Sequence, residues 1–181
     1  MTVFRNTAGF GKRIEFWVIG LMLKQGLDVY VPLVDDNAID VVVRRPDGSF
    51  VEVQIKARGN DVKFGDASLF AAIPHELRNN YWFVFYSERL ETMWIMTSSE
   101  FIQWSYQNKN GANKGKRSIW FNGTKKNRDT GVQEEHIYPR FVPFIATHFN
   151  RILGETPDPL PGQHIAATVD GKKRRLKQES R

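Results

Sequence analysis

The stretch "AIDVVVRRPDGSFVEVQIKA", residues 38–57, constrains the fold more than any other part of the chain. A β-branched run, Ala38–Arg45, and an alternating apolar and polar run, Ser49–Ala57, flank Pro46-Asp47-Gly48. Pro presets φ, Asp favours the next turn position and Gly accepts positive φ, so the tripeptide predicts a tight turn. β-Branched content predicts a strand before the turn, and period-two alternation predicts one after it. Together they make a hairpin. A three-residue loop sets Arg45 opposite Ser49, so that paired positions sum to 94. Val41 then meets Val53 and Val43 meets Val51 on one apolar face. A slip of one residue would split these valines between two faces. The other face sets Asp40 opposite Gln54, with Lys56 as the diagonal neighbour of Asp40.

A second element points at the same place. "NTAGFGKRIEFWVIGLMLKQG", residues 6–26, predicts a helix capped by Asn6 or Thr7 and ended by Gly26. It is apolar nearly all round, as a helix buried against a sheet would be. Glu15 stands within the apolar run. A carboxylate there is costly to bury alone and calls for a cation, a hydrogen-bond partner or a cleft. A helix crossing the sheet lets Glu15 reach the polar face that holds Asp40.

These residue types suit one chemistry. Phosphodiester hydrolysis needs a cation against the phosphate, a positioned water and a donor for developing negative charge. Mg²⁺ takes hard oxygen ligands and keeps several waters. Asp40 offers a carboxylate oxygen, Gln54 an amide oxygen, and Glu15 a direct or water-bridged contact. Lys56 is placed to orient or activate the attacking water, or to stabilise charge on the phosphorus. Glu52 lies one step further along the face, with two roles open to it: a spare acid near the metal, or the partner of Arg44.

A helix Glu, a strand Asp 25 positions on, and Gln-x-Lys 14 positions after that resemble the PD-(D/E)xK nuclease superfamily over residues 10–60. Gln54 stands where most members carry Glu or Asp. This form is similar to the QxK variant of intron-encoded homing endonucleases in that superfamily and of related uncharacterised families. The resemblance implies an α/β, restriction-endonuclease-like fold: an α-β-β-β-α-β core, with a central mixed sheet flanked by helices. It implies a metal-dependent endonuclease that hydrolyses phosphodiester bonds in DNA. Lys56, Asp40, Gln54 and Glu15 would be its catalytic residues, and Asp40, Gln54 and Glu15 would hold Mg²⁺ or Mn²⁺. Two other readings stay open. One is a catalytically inactive nucleic-acid-binding module with this fold. The other is a protein-interaction domain whose Gln-Lys face is ordinary strand surface. Cutting both strands of DNA calls for two sites, which makes a homodimer an expected partner state.

Beyond the hairpin, "LDVYVPL", "YWFVFYS" and "TMWIMT" predict strands, and "SIWFNG" a short one. "DASLFAAIPHELRN" predicts a helix. So does "SSEFIQWSYQNK", capped by Ser98 or Ser99, and "PRFVPFIATHFNRILG" a closing helix ending at Gly154. Residues 1–154 form the expected nuclease-like domain. Residues 155–181, Pro-rich and then basic, are expected to be a poorly ordered tail.

The formal net charge is +6, but residues 170–181 alone contribute +4 of it. The more telling feature lies in the body: residues 101–128 hold seven Lys or Arg and no acid. Clustered cations without nearby acids suit phosphate contacts, here from Lys114, Lys116, Arg117, Lys125, Lys126 and Arg128. The same composition also suits a solvated loop. Trp104, Tyr106 and Trp120 are available to stack on bases or to form core and groove wall. Cysteine is absent, which excludes disulfides and thiolate metal sites, and the four His show no zinc-ligand spacing. The N-terminal residues carry no signal-peptide apolar stretch and no run is long enough to span a bilayer, so the expected location is cytoplasmic, with no membrane partner.

Overall fold

The structure, a computed structural model, describes residues 7–34 and 37–154. The opening helix is α1, Thr7–Lys24. Its end is a Schellman motif: Gly26 takes φ 83°, and the Leu27 amide reaches back to the Met22 carbonyl at 3.1 Å. The hairpin follows as β2, Val41–Arg44, and β3, Phe50–Arg58, preceded by a short β1, Asp28–Tyr30. Its register is that read from the sequence, with Val41 opposite Val53 and Val43 opposite Val51. Gly48, at φ 84°, closes the loop through its amide on the Arg45 carbonyl.

The next strands are β4, Leu69–Ile73, β5, Tyr81–Ser87, and β6, Thr92–Thr97. Helix α2, Ser98–Trp104, follows directly. Its cap is Thr97, one residue before the predicted serines: the Thr97 hydroxyl accepts the Glu100 amide, and the Glu100 carboxylate accepts the Thr97 amide. Then come β7, Tyr106–Gln107, β8, Arg117–Trp120, β9, Asn122–Lys126, and β10, Gln133–Ile137. A short helix α3, Asn150–Leu153, ends at Gly154 in the left-handed conformation.

The central sheet has the order β1-β2-β3-β5-β6 and is mixed, because β3 and β5 are parallel while its other pairs are antiparallel. Helices flank it. On one face α1 and α3 bury Val18, Ile19, Met22 and Ile152 against the odd-numbered residues of β2 and β3. On the other, an aromatic layer of Phe83, Phe85, Phe101, Phe121 and Phe141 joins the sheet to α2 and to a smaller sheet, β4-β8-β7. β9 and β10 form a separate antiparallel ribbon.

Four expectations are corrected. "DASLFAAIPHELRN" is not helical. Its centre is β4, paired with β8 and kinked at Ala72, which has φ 57°. Pro74 would have broken a helix running through this stretch, and Phe70 and Ile73 instead enter the aromatic layer. The parallel connection from β3 to β5 is therefore made by a strand-bearing arm. The predicted closing helix is a 3-10 turn over Pro139–Phe144, an isolated bridge from Ile145 to Trp94, and then α3. Pro143 has no amide to continue an α-helix. "SIWFNG" splits into β8 and β9 because Phe121 turns its ring inward, stacked on Trp94 at 4.5 Å between centroids. Finally, α1 is not buried all round: Phe16, Trp17 and Leu23 stay about half exposed. The tail expectation falls on residues 155–181, outside the described residues.

No helix among the described residues is long and apolar enough to cross a membrane.

Candidate active site

The polar face of the hairpin is built where β2 stops. Odd-numbered residues of β3 present their amides to β2, as the register requires. At Ile55 the ladder has already ended, since β2 begins at Val41. The Asp40 carboxylate takes the vacant position: its Oδ2 accepts the Ile55 amide at 2.6 Å, and its own amide donates to the Val53 carbonyl at 3.0 Å. Asp40 thus clasps β3 on both sides of Gln54. The carboxylate has a structural duty as well as any chemical one.

Gln54 is 5% exposed and stands beside Phe83 in the parallel pair, while Lys56 stands beside Phe85 and is half-buried. Among the described residues, neither side chain has a hydrogen-bond or ion-pair partner. The Gln54 amide is also not sealed from solvent. A near-buried amide and a half-buried amine therefore stand without protein partners beside a carboxylate.

Glu15 is placed differently. It is buried, and the cation that compensates it is Lys12, one turn earlier on α1, with Nζ to Oε1 at 2.5 Å. The valine face of the hairpin packs toward α1 and alternation turns Gln54 and Lys56 the other way. The structure thus joins Asp40 to the Gln54–Lys56 strand and joins Glu15 to Lys12. Lys12 was missed in the sequence, although an i,i+3 basic residue is a readable signal. Glu52 pairs with neither a metal cluster nor Arg44 but with Arg78; Arg44 lies 3.9 Å from Asp28 instead.

The basic segment divides in space. Lys114 and Lys116 line a cleft of about 530 Å³ that Asn37 and Ala38, in the turn leading to Asp40, also line. Lys125 and Lys126 lie on the ribbon, where β10 sets Glu134 and Gln133 directly across from them. The stretch is free of acids in sequence but not in the fold. Arg117 is turned to protein, its guanidinium on the Ile102 carbonyl and the Ser105 hydroxyl, while Arg128 is exposed. Trp120 donates to the Gly65 carbonyl at 2.8 Å and Trp104 leans on Phe141, so both serve as wall; Tyr106 is 55% exposed.

With this geometry assembled, the solved structures offer a likeness. The fold is similar to that of the bacterial homing endonuclease I-Ssp6803I. The match has a TM-score of 0.53 and 20% identity, and covers 83% of this chain and 95% of that chain. At that identity the likeness to I-Ssp6803I concerns the fold. At the level of sequence no family model matches the chain, and neither does any curated protein.

The cleft also contains His75, which the sequence gave no reason to single out. Its Nε2 lies 2.7 Å from the Ser98 hydroxyl, which also accepts the Arg78 amide. A neutral ring can accept the Ser98 proton at Nε2 or donate to that oxygen, according to its tautomer. Burial first, then Arg78 and Arg117, lower its pKa from 6.5 to about 4. The unfolded chain therefore takes up a proton that the folded chain resists. The stability that neutral His75 contributes is fully present above pH 6.5 and is lost as pH falls toward 4. The expected outcome is a melting temperature that drops across this window, with a shallower slope in His75→Gln. Equal slopes in both proteins would show that another group drives the change.

Proposed function

We propose that the chain is a metal-dependent endonuclease acting on DNA, with Asp40, Gln54 and Lys56 at its centre. One observation carries this reading: the clasp of Asp40 across β3, which puts a carboxylate beside an unpartnered amide and amine. The likeness in fold to a bacterial homing endonuclease supports it.

Asp40 and Gln54 supply hard oxygens, and these fit Mg²⁺ or Mn²⁺. Among the described residues no group of three or more His, Cys, Asp or Glu could hold a metal ion. The ion would therefore rest on few protein ligands and on the phosphate of the DNA itself. When bound, it would offset phosphate charge and acidify water. Asp40, held by the Ile55 amide, keeps its position without reorganising, which is how a fixed charge lowers a barrier. Lys56 holds the attacking water or donates to the phosphorus oxygens. Gln54 orients what lies between them through its amide. Glu15, tied to Lys12 on the α1 side of the sheet, is left out of this centre.

Incubating the protein with supercoiled, linear and branched DNA, and with RNA, in Mg²⁺, Mn²⁺ or EDTA tests the proposal. Metal-dependent DNA cleavage is expected. Salt-dependent binding without cutting would make the chain a binding module, and neither activity would leave a protein-interaction domain.

DNA would approach along the cleft side. Neutralising Lys114 with Lys116 is expected to weaken binding similarly on all sequences and to lower the log–log salt slope by about 2. Neutralising Lys125 with Lys126, which face β10, is expected to do less. Anisotropy titrations over a salt series would decide it. An unchanged slope in the first pair would assign that loop to solvent.

A further inference from the structure

The approach to Asp40 is strained and doubly held. Ala38 has φ 56°, a conformation that is disfavoured for a residue with a Cβ and persists only where the surroundings fix it. Two donors fix it here. Arg78 donates through Nη1 to the Asn37 carbonyl at 2.9 Å, and the Tyr81 hydroxyl donates to the Ala38 carbonyl at 2.5 Å. The two side chains brace each other, with the guanidinium 4.2 Å from the Tyr81 ring centroid. Arg78 is anchored in turn. Its Nη2 pairs with Glu52, two residues before Gln54 on the same face of β3, and its amide donates to Ser98. One guanidinium therefore connects the strand that carries Gln54 and Lys56 to the turn that delivers Asp40.

We propose that Arg78 is a positioning residue that sets the Asp40 carboxylate against β3. The planar fork of Arg can meet the Glu52 carboxylate and the Asn37 carbonyl together while stacking on Tyr81; a Lys ammonium cannot do all three. The consequence for catalysis rests on the endonuclease reading, but the positioning itself does not. It is visible at the Ile55 amide, whose acceptor is Asp40.

The test compares Arg78→Ala, Arg78→Lys and Arg89→Ala. Arg89 ties the loop carbonyls of Asn60 and Val62, far from Asp40, and serves as a control for general loss of stability. Amide hydrogen exchange at Ile55 reads the clasp without metal or DNA. Faster exchange is expected in Arg78→Ala, an intermediate rate in Arg78→Lys, and the wild-type rate in Arg89→Ala. Unchanged protection of Ile55 in Arg78→Ala, or equal loss in Arg89→Ala, would overturn the proposal. Single-turnover cleavage at saturating DNA is the second readout. It is expected to fall about 10- to 100-fold in Arg78→Ala, with DNA affinity nearly unchanged. A lower salt slope with an unchanged rate would instead make Arg78 a phosphate contact and overturn the assignment. If Ile55 responds as expected while the wild-type protein cuts no nucleic acid in Mg²⁺ or Mn²⁺, the endonuclease reading fails and the positioning role stands.

Discussion

Asp40→Asn and Lys56→Ala are each expected to lower single-turnover DNA cleavage by at least about 100-fold, the scale seen when a fixed transition-state contact is removed. The two variants differ in what else they disturb. Lys56 has no protein partner among the described residues, so Lys56→Ala is expected to stay within about 0.5 kcal/mol of wild-type stability. Asp40 accepts the Ile55 amide, and Asp40→Ala would leave that donor unpaired at a cost of about 1–3 kcal/mol. Asn keeps an acceptor in place and removes the charge, which makes it the cleaner test. Denaturant melts beside cleavage assays separate the two effects. Wild-type cutting by either Asp40→Asn or Lys56→Ala would remove that residue from the site.

The second large effect turns on Gln54. Gln54→Glu replaces a neutral amide by a carboxylate of nearly the same shape, beside Asp40 and away from most solvent. Two acids so close repel unless a cation joins them. The variant is therefore expected to bind Mg²⁺ more tightly in the absence of DNA and to gain more thermal stability from Mg²⁺ than wild type does. Cleavage should be retained, or altered by less than the loss of Asp40 causes. Gln54→Ala loses both the oxygen and its positioning and should be much less active. Calorimetric titration of metal into the free proteins measures the first effect. If Gln54→Glu binds no better than wild type while Gln54→Ala cuts normally, Gln54 is not a ligand.

The hairpin was legible because three independent signals agreed: alternation, β-branched content and a turn tripeptide whose conformational needs are specific. They set Val41 opposite Val53 and Val43 opposite Val51, the register the hairpin has. Short apolar runs carried no such agreement. "SLFAAI" satisfies a helix and a strand alike, and only its pairing with β8 decides between them. Pro74 and Pro143 were the readable objections to two predicted helices. The compensation of Glu15 by Lys12 was local and could have been found at i,i+3. The roles of Arg78 and Tyr81 could not, because they act on carbonyls some forty positions away in the chain. For the same reason the acid-free stretch misled: Glu134 lies beyond it in sequence and beside it in space.

The parallel pairing of β3 with β5 also sets an order of events during folding. The hairpin closes over a three-residue loop, whereas Glu52 must find Tyr81 across the intervening arm. Closing the longer loop costs more entropy and has no local turn to guide it. A chain emerging from the ribosome thus forms the strand bearing Gln54 and Lys56 well before that strand has a second neighbour. Until residue 87 is available, β3 is an open edge with Val51, Val53 and Ile55 on one side. An edge of that kind invites pairing with other chains until β5 arrives to cover it.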